Sequence, residues 1–228
     1  DTQTWQEKAA IKGHGNVIRS LAYSPDGTHL VSGSLDQTTR VWNLSRNVQD
    51  VIKLTTPETS SNFSRALFTP DGQKIISAQS MAGLASIWDS ISGRKLFDLR
   101  GHTKPAMISS YSLELAVSSD SQFIATAGAD GLVKIWEAET GRVINILSDL
   151  PGPSTALAFA PGNHLLAIST EQTVRIYDLA QGRESTMMPI THGVRALCFL
   201  ADGKTLATTG YDGLIRFWEV ATGQERRK

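Results

Sequence analysis

The chain has 228 residues, 40% of them apolar and 19% charged, and its 22 lysines and arginines balance its 22 aspartates and glutamates. That composition suits a globular protein with a sizeable core, in one domain or at most two. It gives no electrostatic ground for nucleic acid or an anionic membrane as the main partner.

The one basic cluster, Arg226-Arg227-Lys228, reads as a solvated tail. No run approaches the roughly eighteen apolar residues of a membrane-spanning helix, and no signal-peptide pattern opens the sequence, which does not begin with methionine. The expected location is cytoplasmic. The single cysteine, Cys198, excludes an intrachain disulfide. Within the apolar run Ala196-Leu197-Cys198-Phe199 it is expected to be buried as a small hydrophobe.

In chain order, the first organised stretch runs from Gly13 to Asn43. It opens on Gly13-His14 and alternates apolar and polar residues from Ile18 to Tyr23. It then turns at Ser24-Pro25-Asp26-Gly27, alternates again through Leu30, turns at Asp36-Gln37 and closes on Thr39-Arg40-Val41-Trp42. Alternation of period two is the pleat of a half-buried strand. In Pro-Asp-Gly the proline presets φ, the aspartate bonds its own backbone and the glycine takes the positive φ. The stretch therefore predicts a three-strand meander, too thin to bury its own apolar face, which must stack on copies of itself.

Copies follow. The closing aromatic recurs as Trp42, Trp88, Trp136, Tyr177 and Trp218, at intervals of 41 to 48 residues. The first turn recurs as Pro70-Asp71-Gly72, Ser119-Asp120-Ser121, Pro161-Gly162-Asn163 and Ala201-Asp202-Gly203. An outer fourth strand is expected at Arg94 to Leu99 and at Val143 to Leu147. Turns at Ser92-Gly93, Thr140-Gly141, Gln181-Gly182 and Thr222-Gly223 close the last hairpins. Helical periodicity is absent. An all-β propeller of four-stranded antiparallel blades is the architecture that this period supports.

The opening pairs Gly13-His14 and Gly101-His102, with the closing pairs Trp42-Asn43, Trp88-Asp89, Trp136-Glu137, Tyr177-Asp178 and Trp218-Glu219, resemble the Trp-Asp (WD) repeat β-propeller family across essentially the whole chain. Five repeats are expected, at about 13–54, 55–99, 100–147, 148–189 and 190–228.

The resemblance implies that the histidines, aspartates and tryptophans form buried structural networks and not a Ser-His-Asp active site. Matching positions give His14, Ser32, Asp36 and Trp42 in blade one, and His102, Thr126, Asp130 and Trp136 in blade three. Blade five keeps Thr208, Asp212 and Trp218, with His192 two residues out of register. Blade two has Thr59 at the histidine position and no aspartate; blade four has Leu150 there and Glu171 in place of the aspartate. Repetition supports this reading, since an enzyme needs one triad whereas a scaffold needs one brace per blade. His29 and His164 are expected as solvated hairpin residues. No histidine pair has metal-ligand spacing, and no metal or cofactor is expected.

The family's partner-facing positions correspond here to Val17, Arg19 and Leu35; Asn62 and Ser64; Tyr111, Leu113 and Ala129; Pro153, Thr155 and Thr170; and Gly193, Arg195 and Tyr211. Arg19, Arg195, Tyr111 and Tyr211 are the interface-prone types among them. An irregular stretch, Thr103 to Ser112 with Met107 inside it, is either a contact loop or padding in an irregular blade.

The resemblance implies a non-catalytic scaffold binding a protein or peptide, in the interaction or sensor module of a larger signalling protein. The alternative is a propeller enzyme or glycan binder with its site at the central channel mouth. Residues 1–12 match the outer strand of a preceding blade, as does Val220 to Lys228 at the other end. Two such strands compete for one slot, so the expectation is a window from a longer array and not a closed five-blade ring. Further blades of a parent chain or a homo-oligomer would then cover its open faces.

Overall fold

The computed structural model describes residues 5, 7, 10–45, 51–55, 63–79, 82–103, 113–162, 164–170, 172–191 and 193–226. They form five four-stranded antiparallel sheets, and no α-helix occurs among them. Blade one comprises β1 (Ile18–Tyr23), β2 (His29–Ser34), β3 (Thr39–Asn43) and β4 (Val51–Leu54). Blade two comprises β5 (Phe63–Phe68), β6 (Lys74–Gln79), β7 (Leu84–Asp89) and β8 (Lys95–Leu99). Blade three holds β9 (Glu114–Val117), β10 (Phe123–Ala127), β11 (Val133–Glu137) and β12 (Val143–Leu147). Blade four holds β13 (Ala156–Phe159), β14 (Leu165–Ser169), β15 (Thr173–Asp178) and β16 (Arg183–Pro189). Blade five holds β17 (Val194–Phe199), β18 (Thr205–Gly210), β19 (Ile215–Glu219) and β20 (Glu225–Arg226).

Strands within each blade follow chain order, so every connection is a hairpin. The corners follow the turn chemistry of the sequence. Asp26 caps its own turn by accepting from the Thr28 N–H at 3.0 Å and the Ser24 hydroxyl at 2.5 Å. Those hydrogen bonds, the Ser24 one first, bring its pKa down to about 2. Gly93, at φ +67°, closes the last hairpin of blade two against blade one. A Cβ there would lie 2.4 Å from Ile52 Cγ2, so both the backbone conformation and the close approach require glycine.

Successive blades stack, and a separate apolar cluster fills each junction. Val31, Val41 and Leu54 meet Ala66, Ile75 and Trp88 between blades one and two. Ile76 and Ile87 meet Leu115, Ile124 and Trp136 between two and three. Ala125 and Ile135 meet Leu157, Leu166 and Ile168 between three and four. Ala167, Val174 and Ile176 meet Val194, Leu206 and Trp218 between four and five. First strands converge, β1 on β5, β9 on β13 and β13 on β17.

Between blades five and one the described residues form no such cluster. By register, Leu21 and Tyr23 of blade one stand where Ala66 and Phe68 stand in blade two. Ala66 is fully covered, whereas Leu21 is 60% and Tyr23 67% exposed. On the far side, Ile215 and Phe217 stand where Val174 and Ile176 stand in blade four. Those two are fully buried in blade four, and in blade five they are 58% and 42% exposed. Cys198 lies on this open face and is exposed, contrary to the burial expected from its apolar run. Alternation put it on an inter-blade face, but among the described residues no neighbouring sheet covers that face. Of residues 1–12, Trp5, Glu7 and Ala10–Lys12 are described, and none of them lies in a strand. The slot beside Phe217 and Trp218 is occupied by β20.

Candidate functional site

Two sets of residues were candidates, and the structure separates them by burial. The first set forms braces inside the blades. In blade one, His14 Nδ1 lies 2.8 Å from Asp36 and Nε2 lies 2.6 Å from Ser32 Oγ, which accepts the Trp42 indole N–H at 2.8 Å. Blade three repeats the arrangement. His102 Nδ1 is 3.0 Å from Asp130, Nε2 is 2.7 Å from Thr126 Oγ1, and Trp136 donates to that oxygen at 2.8 Å. An indole N–H can only donate, so the hydroxyl oxygen accepts it and sends its own proton to Nε2. Nδ1–H is then left to donate to the carboxylate.

The electrostatics agree with a neutral ring in blade three. Burial lowers the His102 pKa, and the opposing pull of Asp130 does not restore it. Burial acts to raise the carboxylates, yet hydrogen bonds overcome it and hold both below the usual range. Asp36 receives them from Thr38, His14 and the Gly15 N–H, and Asp130 from His102 and the N–H groups of Thr103 and Leu132. Both ring nitrogens are thus occupied within the chain, in blade one and in blade three. Gly128 makes room for the ring, since a Cβ there would lie 2.4 Å from His102 Nδ1. These are struts that brace one strand of a blade against the next.

The other blades keep parts of the strut. Trp218 donates to Thr208 at 2.8 Å, and Asp212 pairs with Arg216 at 2.6 Å. Blade two holds a contact that the sequence reading missed: Trp88 donates to Ser77 at 2.8 Å. An extra residue in the β6–β7 hairpin shifts that serine to eleven positions before its tryptophan, instead of ten. In blade four the hydroxyl position is taken by buried Ile168, and Leu150 packs into the junction with blade three. His29 contacts Thr28 at 2.8 Å and His164 donates to Gly162 O at 3.0 Å, both within hairpins. Thr59, Glu171 and His192 lie outside the described residues.

The second set lies where first strands begin. The β1–β2 ladder shifts register between Ile18 and Ser20, and β17–β18 shifts between Val194 and Ala196. The residues skipped are Arg19 and Arg195, and both are exposed. A bulge unpairs one residue and re-aims its side chain. β5–β6 shifts in the same place, between Phe63 and Arg65. In blades one and five the bulge faces the hairpin after the second strand. Leu35 N–H donates to Val17 O at 2.9 Å, and the Arg195 guanidinium stacks 4.8 Å from the centroid of the Tyr211 ring.

Blades three and four depart from this pattern. Leu113 and Thr170 are buried, and Thr155 is engaged with Ser169 at 2.9 Å. The strands there start later and carry no bulge. Asn62, Met107 and Tyr111 lie outside the described residues. The first strands also bring Arg65 of blade two to 2.5 Å from buried Glu114 of blade three, an ion pair that ties neighbouring blades. Among the described residues no three His, Cys, Asp or Glu side chains are grouped to hold a metal ion.

Repeated four-stranded blades, braced by a hydroxyl that links histidine to tryptophan, define a repeat β-propeller. The family model "WD domain, G-beta repeat" matches residues 5–43, 93–137 and 185–219, and the chain belongs to this WD-repeat family. It is 29% identical to Periodic tryptophan protein 2 of Arabidopsis thaliana, over 96% of this chain and 24% of that protein. It is 27% identical to Small ribosomal subunit protein RACK1y of Oryza sativa subsp. japonica, over 94% and 51%. WD repeat and SOCS box-containing protein 1 of Danio rerio is 37% identical over 96% and 53%. The chain thus spans between a quarter and about half of the length of these relatives.

Proposed function

We propose that the chain is a non-catalytic docking module and that a protein or peptide partner engages the blade-five edge at Arg195 and Tyr211, with Arg19 and Leu35 at the matching edge of blade one. The observation that carries this reading is the stacked pair Arg195–Tyr211, exposed at a bulge-and-hairpin edge. Arginine and tyrosine are the types that concentrate binding energy, and a side chain pinned by its neighbour loses less entropy on docking. Kinship with WD-repeat proteins supports the scaffold role, and one relative is by name a ribosomal subunit protein. A signalling context and a cytoplasmic location fit the same reading.

The test compares proteins captured by the chain with those captured by Arg195→Ala/Tyr211→Ala and by Gln122→Ala, an exposed residue at the opposite hairpins. Loss of a partner by at least tenfold in the double variant alone is expected. Equal capture by all three would place docking elsewhere.

We further propose that the two open faces are covered by blades of the same four-stranded type. Support comes from register: Leu21, Ile215 and Phe217 of the end blades match Ala66, Val174 and Ile176, which adjoining blades bury.

A further inference from the structure

Blade five has a cavity where blades one and three hold an imidazole. It measures about 110 Å3 and is lined by Ile190, Gly193, Thr208, Gly210, Arg216 and Trp218, with Glu225 at its margin. Register fixes the correspondence: Thr208 pairs with Arg216 as Thr126 pairs with Lys134, so Gly210 stands where Gly128 does. In blade three that space is filled by His102, whose Nε2 meets Thr126 Oγ1 at 2.7 Å.

In blade five the hydroxyl is left half used. Thr208 is buried, and its oxygen accepts the Trp218 indole N–H at 2.8 Å. Among the described residues nothing accepts its proton. A buried donor without an acceptor is costly, and a ligand that supplies one recovers that cost on binding. The lining beside Thr208 carries charge, because the Arg216 guanidinium lies between Asp212 at 2.6 Å and Glu225 at 3.6 Å.

We propose that this cavity binds an imidazole ring presented from outside the chain. The in-plane nitrogen lone pair accepts the Thr208 proton, and the ring N–H turns to the carboxylate-bearing margin. Size is compatible with a small ring: an enclosed cavity of roughly 150 Å3 holds benzene, and about 110 Å3 accommodates a five-membered ring. The neutral ring is the form recognised, because a protonated ring has no lone pair to offer. The same chemistry can come from a free heterocycle or from a histidine side chain of a partner segment.

The test is titration of the 228-residue chain with imidazole and, separately, with N-acetyl-histidine amide, followed by calorimetry and amide NMR. Saturable binding is expected, with shifts confined to blade five and affinity falling as pH drops through about 6.5. Thr208→Val and Gly210→Ala should each weaken it at least tenfold, whereas Thr208→Ser retains it. Since Thr208→Val also removes the Trp218 acceptor, Gly210→Ala serves as the variant that keeps the strut. Binding of imidazole alone assigns a free heterocycle, and binding of both assigns a side-chain site. Failure of both probes overturns the proposal. So does binding that appears only in His192→Ala, which would mean the chain fills the cavity itself. Arg195→Ala/Tyr211→Ala should leave imidazole binding intact, so the cavity and the docking edge stand or fall separately.

Discussion

Arg195 and Tyr211 are sixteen positions apart in sequence, yet the guanidinium sits 4.8 Å from the tyrosine ring centroid. The bulge at the start of β17 turns the arginine out, and the β18–β19 hairpin brings the ring beneath it. Exposed cation–π pairs of this kind are worth about 0.5–1 kcal/mol. A double-mutant cycle of Arg195→Ala and Tyr211→Ala, read by urea unfolding, should give a coupling in that range. Additive effects would mean that the contact carries no energy in solution.

The struts make a second prediction. His102→Ala strips partners from both Thr126 and Asp130 and should cost about 3 kcal/mol, because each buried group left unsatisfied costs about 1–3 kcal/mol. Trp136→Phe removes a single donor and should cost about 1 kcal/mol. Gly128→Ala, which drives a methyl into the imidazole, should cost about 1–3 kcal/mol. Thermal unfolding of the three variants ranks them, and a neutral His102→Ala would contradict the strut.

Acid should act in two stages. The folded pKa of His102 lies below its unfolded value of about 6.5, so the unfolded chain binds the proton first and stability drops as pH falls below about 7. The folded pKa values of Asp36 and Asp130 also lie below their unfolded values. Their contribution is present above about pH 4 and is lost as pH falls through the folded values. Urea midpoints from pH 8 to pH 3 should show both declines, and His102→Gln should erase the upper one.

Cys198 reports on the open face of blade five. In this chain its thiol should react with Ellman's reagent at close to the rate of the unfolded protein, since it is exposed. Joined to an adjoining blade, the same thiol should slow at least tenfold. Equal rates would remove the proposal that a blade covers this face.

The uncovered faces should also make the isolated chain associate. Leu21, Tyr23, Ile215 and Phe217 expose apolar surface on opposite sides of the stack, which permits head-to-tail contact between copies. Sedimentation should show concentration-dependent mass, and Tyr23→Lys/Phe217→Lys should return it to a monomer with little change in thermal midpoint.

The sequence by itself determined the blades. Period-two alternation, Pro-Asp-Gly corners and the recurring aromatic fixed the strand content and the hairpin order, because these signals are local and depend on backbone sterics and pleat, whereas the His-hydroxyl-Asp-Trp sets were legible only through the resemblance to the WD-repeat family. Ser77 escaped because one inserted residue broke the spacing on which the match to Trp88 relied. Cys198 was misjudged because alternation tells which face a side chain takes, not whether a neighbour covers that face. The pairing of Arg195 with Tyr211, the cavity beside Thr208 and the exposure of blades one and five belong to the tertiary structure alone. Each depends on distances between segments that touch only after the sheets have stacked.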